Sequence, residues 1–189
     1  MSSGHRRLSQ AISEGDGISV IAIVVDADGA RLAGEAGAEA VAVEREVAGV
    51  REATTLPVLA LGNGLADADA ALIVFEQLDD ELEAQHHDIQ ARGLECVVDI
   101  RNDEELEEAL DRIDPEIFLI SPREAEDDDG PLERVLELLP DVPAGKLAIA
   151  ELRDADRETV VALERAGFDA VLVASANVAE LVSSEPPAV

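Results

Sequence analysis

The chain has 189 residues, of which 43 are acidic and 14 are basic, so its formal net charge is −29 and its pI is about 4.1. A charge of that sign excludes nucleic acid and anionic membrane surfaces as expected partners. The length suits one domain with one core, and no apolar stretch approaches the roughly 20 residues of a membrane span.

Short apolar runs recur along the chain at intervals of a few tens of residues. They are rich in Val, Ile, Leu and Ala and lack polar alternation, which is typical of parallel strands covered on both faces. In chain order they lie within residues 18–25, 35–43, 56–61, 65–75, 90–100, 112–120, 147–150 and 165–174. The sequence therefore predicts about eight strands.

Apolar residues at helical spacing lie between several of these runs. They predict helices that include residues 78–89, 106–113, 132–139 and 160–163. Start signals mark the beginning of each helix: Asp79 and Asp80, Asn102, Gly130 with Pro131, and the acidic segment 154–156. Such residues supply acceptors for the free amides of a first helical turn, or a proline that needs none.

Strands that alternate with helices predict an α/β fold, and eight such units close most economically into a compact, single-domain (β/α)8 TIM barrel. We assign residues 17–182 to the barrel, residues 1–16 to an N-terminal segment and residues 183–189 to a flexible tail. An open doubly wound parallel sheet is the alternative, because periodicity does not distinguish the two.

In a barrel, polar residues at the carboxyl ends of the strands line the active mouth. The candidates by this rule are Asp26, Glu44, Arg45, Asn63, Glu76, Asp99, Arg101, Ser121, Arg123, Glu151, Arg153, Ser175 and Asn177.

The lone cysteine, Cys96, has no partner in the chain for a disulfide. It fits a reducing compartment, so we expect a cytoplasmic protein. The acidic run at 124–130 lacks the alternating spacing of a calcium loop. We expect neither a metal ion nor a cofactor.

Several sequence segments, taken in chain order, resemble those of a known family. Gly17-Ile-Ser-Val-Ile-Ala-Ile-Val-Val25 is similar to a first strand, and Leu56-Pro-Val-Leu59 to a third. Gly93-Leu-Glu-Cys-Val-Val-Asp-Ile-Arg-Asn-Asp-Glu-Glu-Leu106 is similar to a fifth strand and helix, and Ala150-Glu-Leu with Gly167-Phe-Asp-Ala-Val-Leu-Val173 to a seventh and eighth strand. Together, from about residue 8 to residue 181, they resemble indole-3-glycerol phosphate synthase, the lyase that closes the indole ring in tryptophan biosynthesis.

The resemblance also implies which residues would perform the chemistry. The family's first strand ends in a Glu-x-Lys pair, and these two places hold Ile23 and Val25. The lysine that follows the family's third strand is replaced by Leu61. Two carboxylates are kept, Asp99 on the fifth strand and Glu151 on the seventh, and we predict these as the remaining catalytic residues.

Four residues are predicted to bind substrate or phosphate. Ser121 takes the place of the family's asparagine after strand six, and Arg123 follows it closely. Arg153 and Ser175 stand where the family's phosphate-binding Ser-Gly and Gly-Ser pairs lie. Lys146, the only lysine, precedes strand seven and should therefore lie at the end opposite the mouth.

Three functions stay open at this point. The first is a degenerate relative that has lost the family's reaction and binds a small phosphorylated or carboxylated metabolite, or a protein partner. The second is an active indole-3-glycerol phosphate synthase with a remodelled site, in which Asp99 and Glu151 move protons. The third is an interaction protein whose acidic surface binds a basic partner. The sequence does not predict an oligomeric state.

Overall fold

The computed structural model describes residues 7–15, 17–62, 67–75, 81–122 and 130–182. Eight parallel strands form a closed barrel, in which each strand pairs with its neighbours in the chain and β1 pairs with β8. The closed sheet confirms the TIM barrel and excludes the open doubly wound alternative. The strands are β1 (Ser19–Ile23), β2 (Ala40–Val43), β3 (Val58–Ala60), β4 (Ala70–Val74), β5 (Glu95–Ile100), β6 (Ile117–Ile120), β7 (Leu147–Glu151) and β8 (Ala170–Ala174).

Eight α-helices accompany the strands within the described part of the chain. They are α1 (Leu8–Ser13), α2 (Ala27–Glu35), α3 (Val50–Ala53), α4 (Leu82–Ala91), α5 (Asp103–Arg112), α6 (Pro131–Leu138), α7 (Arg157–Ala166) and α8 (Val178–Val182). Short 3-10 turns follow α6 at Leu139–Asp141 and β8 at Ser175–Asn177. Of the helices that the structure describes, none is long and apolar enough to span a membrane.

The predicted helix starts are confirmed where the structure describes them. The Asn102 side chain accepts a hydrogen bond from Glu105 N at 2.9 Å, and Asp156 accepts one from Thr159 N at 2.8 Å. Pro131 occupies the first position of α6, where its missing amide hydrogen costs nothing. The predicted start at residues 79–80 lies outside the described residues.

Alternate side chains of each strand fill the interior of the barrel, because successive strand residues point to opposite faces. Small and large residues share this interior, and fourteen buried side chains form one apolar cluster: Leu8, Ile12, Ile21, Ile23, Ala40, Ala42, Leu59, Ala70, Val97, Ile117, Leu119, Ile149, Ala170 and Leu172. The opposite strand faces pack against the helices in a second, larger cluster that includes Val98, Phe118, Val135 and Leu163. The interior is therefore a packed core, and the mouth above it holds the polar side chains.

The N-terminal helix α1 closes the lower end of the barrel, which is the end at which the strands begin. Leu8 and Ile12 are buried in the interior cluster, and the Ser9 hydroxyl donates a hydrogen bond to the buried carboxylate of Glu95 at the start of β5. Arg7 Nε lies 3.4 Å from the same carboxylate. Residues 8–13 thus pack directly on the barrel that we assigned to residues 17–182.

Candidate functional site

Three polar side chains meet inside the barrel at the carboxyl ends of β5, β6 and β7. The Ser121 hydroxyl oxygen lies 2.5 Å from Asp99 Oδ1 and 2.8 Å from Glu151 Oε2, so it is within hydrogen-bond distance of both carboxyl groups. The Asp99 side chain is only 6% exposed and that of Glu151 is 21% exposed. The predicted catalytic pair is thus brought together by the residue that we predicted to bind substrate.

Burial is the main influence on Asp99. Loss of hydration raises the pKa of its carboxyl group from 3.8 to about 6. The hydrogen bond from Ser121 and the charge of Arg101 act against this rise in pKa, whereas the negative charge of Glu151 adds to it. Asp99 can therefore hold or release a proton close to neutral pH.

Two arginines extend the cluster to either side. Arg101 Nη2 lies 3.3 Å from Asp99 Oδ2. On the other side, Arg153 Nε donates to Glu151 Oε1 at 2.9 Å, and its Nη1 donates to Glu44 Oε1 at 2.7 Å. Polar contacts therefore run without interruption across the mouth, from the loop after β2 to the end of β5.

A cavity of about 820 Å³ opens beside this cluster. It lies between the carboxyl ends of β5 to β7 and the first turns of α6 and α7, and it combines charged groups with an apolar wall. Its described lining comprises Asp99, Arg101, Ser121, Pro122, Pro131, Leu132, Glu151, Leu152, Arg153, Asp154, Ala155 and Thr159. A volume of this size accommodates a small metabolite.

Comparison with known proteins identifies the family. The model of the indole-3-glycerol phosphate synthase family matches residues 62–181, which is well over half of the chain. The chain belongs to the indole-3-glycerol phosphate synthase family. The match includes Asp99, Ser121, Glu151, Arg153 and Ser175, whereas residues 23, 25 and 61 precede it.

Relatives with the name indole-3-glycerol phosphate synthase match a shorter part of the chain. The enzyme of Geobacillus sp. (strain WCH70) is 33% identical over 107 residues, which are 56% of this chain and 42% of that relative. The enzyme of Variovorax paradoxus (strain S110) is 34% identical over 113 residues, or 58% of this chain and 41% of that relative. The chain thus matches less than half the length of these relatives.

Solved structures support the fold alone. N-acetylmannosamine-6-phosphate 2-epimerase from Clostridium perfringens superposes with a TM-score of 0.68 at 16% sequence identity, and the match covers 85% of this chain and 87% of the epimerase. A 3-hexulose-6-phosphate synthase superposes with a TM-score of 0.61, also at 16% identity, over 87% of this chain and 97% of that synthase.

The places where the resemblance puts the family's lysines contain no amine. Val25 is 63% exposed just after β1, and Leu61 packs against the apolar interior just after β3. Ile23, in the place of the family's first-strand glutamate, is buried in the same interior. Lys146 precedes β7, and its Nζ lies 2.6 Å from Asp114 Oδ1. The structure thus confirms that the only lysine lies at the end opposite the mouth.

The predicted phosphate-binding residues do not all meet. Arg153 lines the cavity, but Ser175 is exposed on the 3-10 turn after β8 and is absent from the described lining. The Arg153 carbonyl accepts hydrogen bonds from Ala174 N at 2.9 Å and from Asn177 Nδ2 at 3.1 Å, which joins the loops after β7 and β8 to each other. Arg123 lies outside the described residues, so its role stays a prediction.

Sequence reasoning missed the helical part of the cavity. Pro131 and Leu132 of α6 and Thr159 of α7 line it, together with Asp154. The signal was present in Gly130-Pro131, because the helix that follows a strand in this fold begins at the end of the barrel where that strand ends. Asp26, a candidate by its place after β1, instead caps α2 by accepting a hydrogen bond from Gly29 N at 2.7 Å.

Proposed function

We propose that this member of the indole-3-glycerol phosphate synthase family has lost the ring-closing reaction and binds a small anionic metabolite in the cavity between β5, β6 and β7. One observation carries the proposal: Val25 and Leu61 stand where the resemblance places the family's two lysines, and Lys146 is paired with Asp114 at the other end of the barrel.

The arginines of the mouth do not supply the missing proton donor. A guanidinium stays protonated far above neutral pH, whereas the pKa of a lysine can be lowered by burial into the range that general acid catalysis needs. At Arg153, the hydrogen bond to Glu44 raises the pKa further, and the contact with Glu151 acts in the same direction. These groups serve binding and not proton delivery.

The same arginines support the binding of an anion. Arg101 and Arg153 line the cavity on either side of the Asp99–Ser121–Glu151 cluster. A planar guanidinium can bind a carboxylate or phosphate through two parallel hydrogen bonds, even in a protein whose overall charge repels anions. The apolar wall of Pro131, Leu132 and Ala155 provides a surface for the uncharged part of a metabolite.

Turnover is tested by incubating the purified protein with the family's substrate, carboxyphenylamino-deoxyribulose phosphate, and following indole fluorescence. We expect no signal above a control without enzyme. Turnover that disappears in Glu151→Gln would contradict the proposal and establish an active lyase with a remodelled site. The raised pKa of Asp99 favours this second candidate, because a carboxyl group that titrates near pH 6 can act as a general acid.

Binding is tested by thermal shift against a panel of small phosphorylated and carboxylated metabolites. A ligand that binds the folded state raises the Tm by mass action. We expect at least one such shift, and we expect Arg153→Ala to abolish it. The matched control is Arg31→Ala on the exposed surface of α2, which removes the same charge away from the mouth. If no metabolite of the panel shifts the Tm of the unmodified protein, the result would favour an interaction protein.

A further inference from the structure

Ser121 imposes a constraint on the protonation of the cluster. A serine hydroxyl has one hydrogen, which it can donate to one acceptor at a time. Its oxygen nevertheless lies 2.5 Å from Asp99 Oδ1 and 2.8 Å from Glu151 Oε2. If both carboxyl groups were ionised, one of these contacts would place two oxygens together without a hydrogen between them. The geometry therefore calls for one additional proton.

The surroundings assign that proton to Asp99. Glu151 accepts a hydrogen bond from Arg153 Nε at 2.9 Å, whereas Asp99 has the longer contact of 3.3 Å with Arg101 and is the more deeply buried of the two carboxyl groups. With the proton on Oδ1, Asp99 donates to Ser121 Oγ, and the hydroxyl of Ser121 donates to Glu151 Oε2. Each of the two contacts of Ser121 then contains one hydrogen.

The charged groups that face the cluster come from the strand ends and the loops that follow them. Arg101 at the end of β5 and Arg153 after β7 are positive, whereas Glu44 after β2 and Asp154 after β7 are negative. The cavity surfaces of α6 and α7 contribute Pro131, Leu132 and Thr159, which carry no charge. Of the described residues that line the cavity, the two arginines are thus the groups that can receive an anion.

We propose that Asp99, Ser121 and Glu151 share one proton, and that the cavity takes this proton up from solvent on binding its anion wherever the pH lies above the midpoint of the ligand-free cluster. The inference rests on the proposed anion binding and adds its regulation by pH. An anion beside Arg101 or Arg153 places negative charge near the cluster, which favours the protonated form of the cluster. By reciprocity, the protonated cluster favours the anion.

The direction of the pH effect follows from this linkage. The midpoint of the free cluster is the pH at which the ligand-free cluster is half protonated. Below this pH the proton is already present, so the affinity for the anion does not change with pH. Above that midpoint, binding of the anion requires uptake of a proton from solvent, so the affinity for the anion falls by up to about tenfold per pH unit. The fall ends at the higher midpoint of the anion-bound cluster.

The shared proton is tested without a ligand by carboxyl carbon-13 NMR of the labelled full-length protein. The signal of Asp99 is identified by its absence in Asp99→Asn, and Asp114→Asn, at the other end of the barrel, is the matched control. We expect Asp99 to titrate well above the ordinary aspartate midpoint of about 4 and to titrate at lower pH in Glu151→Gln. A midpoint near 4 in the unmodified protein would overturn the inference.

Proton uptake is tested by calorimetric titration with sulfate, and separately with benzoate, in two buffers of different ionisation enthalpy at pH 7. Both probes are fully ionised at this pH and represent the phosphorylated and carboxylated classes. We expect a buffer-dependent heat equivalent to a fraction of one proton, and we expect this dependence to vanish in Asp99→Asn but not in Asp114→Asn.

The outcomes separate this inference from the proposed function. Binding with a heat that is independent of buffer would overturn proton uptake and leave anion binding intact. Absence of binding by both probes and by the metabolite panel would overturn anion binding, and proton uptake with it. In that case the NMR titration still decides whether Asp99 and Glu151 share a proton.

Discussion

Arg153 Nη1 donates a hydrogen bond to Glu44 Oε1 at 2.7 Å, although the two residues are 109 positions apart in the sequence. The contact joins the loop after β7 to the loop after β2 and passes over the ends of β8 and β1, which lie between them. Both side chains are about half exposed, at 49% and 52%. Glu44 therefore occupies one side of the guanidinium that an anion would approach.

We expect Glu44→Gln to strengthen anion binding. The substitution removes a negative charge that competes for Arg153, while the stability of the protein changes little, because an exposed pair of this kind contributes about 0–1 kcal/mol. The Kd for sulfate at pH 6 and the Tm are the two measurements. Glu52→Gln, an equal change of charge on the exposed side of α3, is the control. A Kd that rises in Glu44→Gln would show that Glu44 supports the site.

The position of Asp99 and Glu151 was predictable, whereas the position of Glu44 was not. The carboxyl ends of neighbouring parallel strands lie at the same end of a barrel. An assignment of strands is therefore sufficient to predict that residues at the ends of β5 and β7 lie close together. The contact between Arg153 and Glu44 instead depends on the course of two loops, which strand periodicity does not determine. Glu44 was accordingly one of many polar residues at strand ends.

A second prediction concerns the free energy of unfolding in Asp99→Asn. The folded protein raises the pKa of Asp99 from 3.8 to about 6, so folding is linked to proton binding at this residue. The stability that this linkage contributes is complete below pH 3.8 and is lost as the pH rises through 6. The full loss amounts to about 3 kcal/mol for a pKa difference of roughly two.

Asparagine does not ionise, so the variant avoids this loss. We expect the free energy of unfolding of Asp99→Asn, relative to the unmodified protein, to increase from pH 5 to pH 8 by about 1–1.5 kcal/mol, because part of the loss has already occurred below pH 5. Urea denaturation at several pH values measures it, with Asp114→Asn as the control. A relative stability that stays constant or falls over this range would show that Asp99 is ionised in the folded protein at pH 5.

A third prediction concerns the lower end of the barrel. Leu8 of α1 is fully buried in the interior cluster, so Leu8→Ala leaves a cavity and should lower the free energy of unfolding by about 2–4 kcal/mol. Leu32→Ala on α2 is the matched control, because Leu32 is 53% exposed and its truncation should cost less than about 1 kcal/mol. Equal losses in the two variants, measured by urea denaturation, would show that α1 does not stabilise the barrel.

The packing of α1 on the barrel could not be predicted from the sequence. Residues 1–16 carry no repeated strand and helix pattern, so we assigned them to a segment outside the barrel. Leu8, Ile12 and Ser9 find their partners only in the folded barrel. There the eight strands together form an apolar interior and place the carboxylate of Glu95 at the end where α1 packs. A helix of six residues is too short for its own periodicity to indicate what it packs against.

The acidic surface leads to the last prediction. With 43 acidic and 14 basic residues, repulsion between carboxylates opposes the compact state. Salt weakens this repulsion, because the Debye length falls from about 10 Å at 0.1 M to about 3 Å at 1 M. Salt also weakens exposed ion pairs such as that of Arg112 with Glu83, but most of the acidic residues cannot be paired with so few basic ones.

We therefore expect potassium chloride to raise the Tm between 0.1 M and 1 M. A relief of repulsion by about 1–2 kcal/mol corresponds to a rise of roughly 2–8 °C for a chain of this size. Most of the rise should occur below 1 M, since the Debye length changes little beyond that concentration. A thermal melt followed by circular dichroism measures it, and sucrose, which carries no charge, is the control for solvent exclusion. A Tm that falls with added salt would show that attraction within the ion pairs outweighs repulsion among the carboxylates.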